Sequence, residues 1–390
     1  MNVIILSSSP RYKGNSHFIY ELSKRFSANN NVVTLSPFVR GTSSSEYIGN
    51  LHIERYKFIG SVYLENNAIL PNARKNILIY LIIPFMILAQ WFSLNNFVKN
   101  INADIINAHW LFPQGLVAVL YKKLHKKNIK VIITAHGSDV NCLNSIIFKY
   151  IKRFVINNAD QIISVANHLK ETLIKTVDVI KTPINIIPMG VDTCIFTPKR
   201  EVNNNNNILF IGRLSQVKGI NYLLDACEEI AKYISHFNLQ IIGFGEDYDL
   251  IESRIKNSEI LLKHCNMLGT IEHSKLPEYY NKADIVVLPS YELNTGEREG
   301  MPVVMMEALS CGTCFVGTDI PPVKEIIIDG INGFIVPQKN SMALASKIIY
   351  LLNNTDIIEK VRTEAIKTAK KHFDWDIIAK EYQTIFNNVL

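Results

Sequence analysis

Short apolar segments alternate with helix-length segments along most of the chain, and no other sequence feature constrains the fold as strongly. This alternation is typical of parallel sheets covered by helices, so an α/β fold is expected. Because 390 residues exceed one typical core, two such domains are predicted. Strands are predicted near residues 2–8, 31–35, 104–108, 130–135, 161–165, 184–187, 208–212, 238–243, 264–268, 284–288, 314–317 and 333–336.

A polar run at residues 203–207 separates the two sets of strands and is typical of a linker. We therefore predict an amino-terminal domain over residues 1–195, a linker over 196–207 and a carboxyl-terminal domain over 208–372. Residues 373–390 are predicted to form one further helix.

Cysteine usage and the first residues bear on the compartment. The six cysteines are scattered, which is typical of a reducing compartment and not of a disulfide framework. The sequence leads straight into a short apolar strand without a basic leader, so no cleavable signal is predicted. A cytoplasmic protein is expected.

Charge is distributed unevenly along the chain. Residues 1–200 hold 23 Lys and Arg against 10 Asp and Glu, a net charge of +13, whereas residues 201–390 hold 18 against 25, a net charge of −7. A basic half of this kind favours a polyanionic partner. Because it shows no recognition helix and no interleaved aromatic and basic residues, we expect an anionic membrane surface and no nucleic acid. Ordinary solvated lysines are the alternative.

Residues 77–92 form an apolar stretch of 16 residues with a proline inside it. It falls short of the roughly 20 residues that a membrane-spanning helix needs. Arg74 and Lys75 precede it and Trp91 and Phe92 end it, an order that is typical of a membrane interface. The stretch is predicted either to insert into the interface or to pack as a buried core helix.

Two glutamates, Glu299 and Glu307, stand eight positions apart, and a Gly-Met-Pro sequence directly follows the first. Glycine permits close approach to a ligand, and proline suits the first turn of a helix. The apolar residues after the proline predict a buried helix whose first amides face the ligand of Glu299. Eight helical residues rise about 12 Å, so one carboxylate can serve each end of a nucleotide-sugar.

Basic side chains and histidines follow predicted strands. Arg213 and Lys218 come after the strand near 208–212, where an arginine fork and a mobile ammonium can bind a diphosphate. An ordinary surface pair is the alternative. His136 follows the strand near 130–135, and His109 with Trp110 ends the preceding strand, so all three are predicted at one ligand-binding edge. Core packing of Trp110 is equally compatible with this position.

Four stretches in this order resemble the retaining GT-B glycosyltransferases of family 4. The spacing from Glu299 to Glu307 is similar to the E-x7-E signature of that family, and residues 212–219 are similar to its diphosphate clamp. Residues 187–198 resemble its interdomain segment, and residues 136–139 resemble its catalytic-cleft loop. Residues 109–115 together with 136–139 also resemble transferases of teichuronic acid or capsule synthesis.

The resemblance implies a fold and a reaction. The fold would be two Rossmann-like domains facing across a cleft, with the acceptor bound by the first, the nucleotide-sugar bound by the second, and the last helix crossing back to the first. The reaction would be retaining transfer from a nucleotide-sugar, with UDP favoured, to a lipid-linked or saccharide acceptor in cell-surface polysaccharide biosynthesis. No metal and no cofactor is expected, and the enzyme would work at the inner face of the plasma membrane as a peripheral protein.

The resemblance also implies roles for individual residues. Catalytic roles fall to Glu299, His136, Arg213 and Lys218. Acceptor contacts fall to His109, Trp110 and Asp139. Donor contacts fall to Gly14, Gly212, Arg213, Lys218, Gly243, Gly300, Met301, Pro302, Val303 and Glu307, with Glu307 on the ribose hydroxyls.

The opening loop departs from the pattern of the family. Gly14 stands alone where paired glycines are usual, and residues 7–16 look like the phosphate loop of flavin reductases. A flavin-dependent reductase is therefore one alternative, and a soluble GT-B sugar synthase, which does not need the apolar stretch, is another. The loop at 291–298 is longer than usual, and Cys314 replaces a usual proline. The resulting C-x-x-C with Cys311 follows a helix instead of opening one, so we attribute it to coincidence.

Overall fold

The computed structural model describes residues 1–8, 17–61, 79–125, 128–142, 145–177, 180–199 and 205–390. These residues form two compact units, Met1–Pro188 with Ile378–Leu390 and Met189–Ile377. The boundary after Pro188 lies earlier than the predicted boundary after residue 195. The physical reason is Val191, whose amide donates to the carbonyl of Phe373 at 2.7 Å and so ties the segment after Pro188 to the second unit. The predicted linker therefore begins inside the second unit.

The first unit is built on an eight-stranded sheet in the order β3-β4-β2-β1-β5-β6-β7-β8. Only the pair β3 and β4 is antiparallel. Strands buried on both faces of a parallel sheet read as continuous apolar runs, which explains why the central ones are readable from sequence. The strands are β1 (Asn2–Leu6), β2 (Asn31–Pro37), β3 (Ser45–Ile48), β4 (Leu51–Tyr56), β5 (Ile105–His109), β6 (Lys130–Ala135), β7 (Gln161–Ser164) and β8 (Ile184–Ile186).

The prediction from sequence omits β3 and β4. In β4, polar residues interrupt the apolar ones, and its Arg55 is buried. Burial is possible because the Arg55 guanidinium lies 2.5 Å from a carboxylate oxygen of Glu46 on β3. The ion pair between the edge strand β3 and its neighbour β4 takes the place of an apolar run, so this part of the sheet has no clear signal in the sequence.

The second unit is built on a six-stranded, wholly parallel sheet in the order β11-β10-β9-β12-β13-β14. Read along the chain, this is the 3-2-1-4-5-6 order of the dinucleotide-binding fold. The strands are β9 (Asn207–Ile211), β10 (Asn238–Ile242), β11 (Cys265–Gly269), β12 (Ile285–Leu288), β13 (Cys314–Thr318) and β14 (Phe334–Val336). Each lies within a few residues of its predicted position.

Helices connect successive parallel strands, so the first helix after a strand begins beside the carboxyl edge of its sheet. Those of the first unit are α1 (His17–Phe26), α2 (Ile79–Asn100), α3 (Leu116–His125), α4 (Ser138–Asn141), α5 (Ile146–Asn158) and α6 (Asn167–Val177). Those of the second are α7 (Ile220–Ile230), α8 (Tyr248–Lys256), α9 (Glu259–His264), α10 (Leu276–Lys282), α11 (Val303–Cys311), α12 (Pro321–Lys324), α13 (Ser341–Asn353) and α14 (Thr355–His372). The last helix, α15 (Trp375–Val389), begins in the second unit and continues into the first.

Helix α2 contains most of the predicted apolar stretch, whose residues 77 and 78 lie outside the described residues. The segment Leu81–Asn100 is long and apolar enough to cross a membrane by length and composition, and 22% of its apolar window is buried. One face, with Met86, Gln90, Leu94 and Val98, is buried against the sheet. The opposite face is exposed. One face of the helix therefore packs in the core, and the predicted insertion into a membrane interface stays a prediction.

Candidate functional site

The second unit has a topological switch point between β9 and β12, because chain connections leave these adjacent strands in opposite directions. The loops after such strands diverge and leave a crevice for a ligand at the carboxyl edge of the sheet. Residues 212–219 follow β9, and residues 289–302 follow β12. The predicted donor residues Gly212, Arg213 and Lys218 and the predicted catalytic residue Glu299 all lie on these two loops.

Gly219 lets the two loops pack against each other. It adopts φ +65°, which favours glycine, and a Cβ added there would lie 2.0 Å from the carbonyl oxygen of Pro289. The amide of Tyr291 also donates to the carbonyl of Val217 at 3.0 Å. The loop after β12 therefore lies directly on the loop after β9.

Lys218 and Glu299 meet across the switch point. The Lys218 ammonium lies 2.6 Å from Glu299 Oε1, and the side chains are 16% and 13% exposed. The hydroxyl of Ser290 donates to the same carboxylate oxygen at 3.1 Å. The aliphatic part of Lys218 passes beside Gly212, where an added Cβ would lie 3.5 Å from Lys218 Cε. Two groups predicted to bind different parts of one ligand are thus in direct contact.

Arg213 points to a different partner. Its Nε and Nη2 donate to Glu246 Oε2 at 3.0 and 2.8 Å, and about a third of each side chain is exposed. Burial, and secondarily the charge of Glu246, raises the pKa of the neighbouring Asp247. The structure therefore adds an acidic loop beside the predicted diphosphate clamp, and no motif in the sequence indicated it.

Gly243 serves the packing of the loop after β10. A Cβ at this position would lie 1.8 Å from the carbonyl oxygen of Gly212. The amide of Gly212 donates to Ile242 at 3.0 Å, and the amide of Leu214 donates to Phe244 at 3.2 Å. The predicted donor contact of Gly243 stays a prediction, whereas its contact with the clamp loop is a property of the fold.

Helix α11 begins at Val303, one residue after Pro302, and its first amides lie beside the half-exposed Gly300 and Met301. Only the residues from Val303 onward are helical, so the predicted continuous helical rise of about 12 Å from Glu299 to Glu307 is wrong. The helix contributes roughly half of that rise, and a loop contributes the remainder.

Glu307 is buried inside the second unit at 4% exposure. Its Oε1 lies 2.8 Å from His273 Nε2, and its Oε2 accepts from the hydroxyl of Tyr280 at 2.6 Å. The ring of Phe196 lies 5.1 Å from that of His273. Because both carboxylate oxygens already bind protein groups, a ribose hydroxyl has to displace one of them. The predicted ribose contact stays a prediction.

Predicted residues of the first unit gather at the carboxyl edge of its sheet. His109 ends β5, His136 follows β6, and His109 Nδ1 lies 2.8 Å from His136 Nε2. The rings of Trp110 and Phe18 lie 5.0 and 4.9 Å from that of His136. Trp110 is half-buried and adopts φ 74°. The sequence indicated these positions separately, and the fold joins them into one aromatic cluster.

Asp139 accepts hydrogen bonds from backbone amides, and its predicted acceptor contact stays a prediction. It is 4% exposed, and its Oδ1 accepts from the amides of His136 and Gly137 at 3.1 and 3.0 Å. Its Oδ2 accepts from the amide of Leu111 at 2.9 Å. These backbone bonds occupy both oxygens and tie the loop after β5 to the loop after β6. Asp139 therefore holds the histidine loops in place.

The remaining predictions concern the opening loop, the cysteines and metal-ligating side chains. Gly14 and most of the loop that resembles flavin reductases lie outside the described residues. All six cysteines are free, and Cys311 and Cys314 are buried. Across the described part of the chain, no three His, Cys, Asp or Glu side chains are grouped so that they hold a metal ion.

Comparisons with known proteins show the family to which the chain belongs. The profile of Glycosyltransferase Family 4 matches residues 12–194, and that of Glycosyl transferases group 1 matches residues 194–372. An uncharacterized glycosyltransferase of Methanocaldococcus jannaschii is 30% identical over 345 residues, covering 85% of this chain and 92% of the relative. The amylovoran biosynthesis glycosyltransferase AmsK of Erwinia amylovora is 24% identical over 300 residues, covering 75% and 72%.

Solved structures share the architecture. Sucrose-phosphate synthase from Thermosynechococcus elongatus matches with a TM-score of 0.83 at 18% identity, over 100% of this chain and 98% of that chain. The Anabaena protein HepE in complex with UDP-glucose matches with a TM-score of 0.72 at 16% identity, over 100% of both chains. The fold is the two-domain α/β GT-B fold with parallel sheets, so this prediction is confirmed. The chain belongs to the glycosyltransferases, with a family 4 amino-terminal region and a group 1 carboxyl-terminal region.

Proposed function

We propose that this glycosyltransferase moves a sugar, with retention at the anomeric carbon, from a UDP-sugar to a lipid-linked or saccharide acceptor in cell-surface polysaccharide biosynthesis. The observation that carries the proposal is the contact between Lys218 and Glu299 at the switch point of the second unit. A cation for a leaving diphosphate and a carboxylate for a sugar stand there next to the first turn of α11.

The reaction needs a site for the leaving group. The bond from the anomeric carbon to the diphosphate oxygen breaks, and an acceptor oxygen forms a bond on the same face of that carbon. The acceptor proton passes to the departing diphosphate. Lys218 and Arg213 stabilise the negative charge that grows on the diphosphate, so the proposed transfer is metal-independent.

Glu299 and its neighbours bind the sugar end of the donor in this proposal. A bound diphosphate competes with Glu299 for Lys218, because both are anions within reach of one ammonium. When Lys218 turns to the diphosphate, Glu299 Oε1 is left for sugar hydroxyls, and the carboxylate stabilises positive charge developing on the ring. The amides of Gly300 and Met301 add donors to the same sugar.

The acceptor side of the proposal rests on the first unit. His136 is half-buried among Trp110, Phe18 and His109, so one edge of its ring remains available to a ligand. We assign His136 to the hydroxyls of the donor sugar and Trp110 to the acceptor. Aromatic faces are suited to the apolar faces of sugar rings.

A membrane location is proposed from exposed apolar residues on two helices of the first unit. Leu81, Phe85, Leu88 and Phe92 lie on one stripe of α2 and are 45% to 67% exposed. Ile146, Ile147 and Tyr150 at the start of α5 are 65% to 67% exposed. A patch of this kind marks an interaction surface.

The position of this patch suits a lipid-linked acceptor. Helix α5 begins near the histidine loops, because the ring of its Phe148 lies 5.3 Å from that of Phe112 in the loop after β5. With the net charge of +13 over residues 1–200, the patch suits the anionic inner face of the plasma membrane, where the protein is proposed to bind peripherally from the cytoplasm.

The comparisons support two choices within the proposal. HepE is described in complex with UDP-glucose, which favours a UDP-sugar over other donors. AmsK is named for the biosynthesis of amylovoran, which favours a polysaccharide pathway. The sugar, the acceptor and the linkage are left open by both.

Donor binding is tested by calorimetry with UDP, GDP, ADP and FMN on the wild type, Lys218→Ala and a matched surface variant, Lys282→Ala. Because charge-assisted hydrogen bonds contribute about 1.5–3 kcal/mol, Lys218→Ala should weaken UDP binding roughly 10- to 100-fold. Lys282→Ala, with its exposed ion pair, should bind like the wild type. Binding of FMN alone would overturn the transferase proposal in favour of the flavin reductase.

Membrane binding is tested by sedimentation with vesicles containing phosphatidylglycerol. The double variant Leu81→Ser with Phe92→Ser should lose at least about tenfold in partitioning, because each side chain contributes roughly 1.5–3 kcal/mol of apolar transfer. The matched control is Leu262→Ser, which is 60% exposed and lies on α9 of the second unit. A wild-type protein that stays in the supernatant would favour the soluble sugar synthase.

A further inference from the structure

We infer that His109 is a positioning residue that holds His136 in the neutral tautomer with its proton on Nδ1. His136 then presents an N–H donor, and not an acceptor, on the ring nitrogen that His109 leaves available. The role of that donor toward a sugar hydroxyl rests on the proposed function, but the tautomer itself does not.

The chain of hydrogen bonds begins at α15. The hydroxyl of Tyr382 donates to Thr134 Oγ1 at 3.3 Å, and Thr134 Oγ1 donates to Asn107 Oδ1 at 3.3 Å. Because these bonds engage the amide oxygen, they turn the amide nitrogen of Asn107 toward His109. Asn107 and Thr134 are fully buried, so bulk water does not compete for them.

The amide nitrogen determines the protonation of His109. Asn107 Nδ2 lies 3.4 Å from His109 Nε2. An amide NH₂ only donates, so His109 Nε2 is the acceptor and carries no proton. A neutral imidazole has one N–H, which must then be on Nδ1. His109 Nδ1 lies 2.8 Å from His136 Nε2 and donates to it.

The same reasoning then applies to His136. Because its Nε2 accepts, its single proton is on Nδ1. Among the residues that the structure describes, no group binds this Nδ1. The backbone of the loop is fixed by Asp139, which accepts from the amide of His136. The rings of Phe18 and Trp110 pack against the imidazole, so its orientation is held as well.

Both histidines are neutral in this arrangement. Burial lowers the pKa of His109 to about 3, and burial with the neighbouring His109 lowers the pKa of His136. A proton on His136 Nε2 would point at the N–H of His109 and break the bond between them. The orientation of the Asn107 amide thus determines, through His109, which ring nitrogen of His136 carries the proton.

The test is the ¹⁵N spectrum of ring nitrogens in protein labelled at histidine, recorded near pH 7.5 without ligand. His136→Gln and His109→Gln assign the two rings among the ten histidines, and His236→Gln is the control that removes an exposed ring of the second unit. The expected result is a protonated Nδ1 and an unprotonated Nε2 for both residues. A protonated Nε2 on His136 in the wild type would overturn the inference.

A second test is the variant Asn107→Leu, in which the new side chain has a volume similar to that of asparagine. It removes the donor to His109 Nε2, so the Nδ1–H signature of His136 should weaken while the fold and UDP affinity remain. With an active UDP-sugar, kcat/KM should fall roughly tenfold, the loss of one oriented hydrogen bond. An unchanged His136 tautomer in this variant would contradict the chain. If no UDP-sugar is turned over, the transferase proposal fails and the spectrum still decides the inference.

Discussion

Gly219→Ala is the substitution for which the structure makes the sharpest prediction. Gly219 adopts φ +65°, and an alanine in this left-handed region has a conformational energy about 1–2 kcal/mol higher. The new methyl group would also lie 2.0 Å from the carbonyl oxygen of Pro289 and 2.9 Å from its carbonyl carbon. Contacts of this type rarely fall below 3.0 Å, so one loop has to retreat by about 1 Å.

The size of the effect follows from these two costs. Shifting a packed backbone adds roughly 1–3 kcal/mol to the conformational cost, for a total of about 2–5 kcal/mol. Gly330→Ala is the matched control, because Gly330 has φ +75° in the same unit and nothing lies within 4 Å of its added Cβ. In Gly330→Ala the free energy of unfolding should fall only by the conformational cost, about 1–2 kcal/mol.

The assay is urea unfolding followed by circular dichroism, combined with calorimetric binding of UDP. Since the retreating loop holds Ser290 and leads to Glu299, Gly219→Ala should also weaken UDP binding about tenfold, whereas Gly330→Ala should leave it unchanged. Equal losses of stability in both variants, with equal UDP affinity, would refute the role given to the contact between the two loops.

Three further changes test other parts of the site. Glu246→Gln removes the ion pair of Arg213, in which about a third of each side chain is exposed. Because such pairs contribute about 0.2–1 kcal/mol, UDP binding should strengthen roughly two- to fivefold. Weaker UDP binding by calorimetry would count against Arg213 as a diphosphate ligand. Tyr280→Phe removes the hydroxyl that donates to the buried Glu307 and should lower the free energy of unfolding by about 1–3 kcal/mol in urea; an unchanged value would contradict this partnership. Below pH 6.5 His109 is protonated in the unfolded chain, whereas in the folded chain, with a pKa of about 3, it stays neutral. The free energy of unfolding should therefore fall by about 1.4 kcal/mol for each pH unit between roughly pH 6 and 4. His109→Gln should remove this part of the pH dependence.

The sequence alone determined the fold class and the place of the site. Strands buried on both faces of a parallel sheet are continuous apolar runs, so the central strands of both units are visible in the chain. Ligands of such sheets bind at the carboxyl ends of strands, so residues that follow strands, such as Lys218 and His136, are recognisable from their positions in the chain. The edge strand β3 and its neighbour β4 are not recognisable in the same way, because an ion pair replaces their apolar run.

Only the tertiary structure decided which of these residues contact each other. Lys218 and Glu299 are 81 positions apart, and their contact depends on the order of β9 and β12 in the sheet. The burial of Asp139 and the hydrogen bonds of Asn107 likewise come from neighbouring strands, because each group is satisfied by partners distant in sequence. Local sequence indicates an element and its ends, whereas the partner and protonation of a side chain depend on packing between elements.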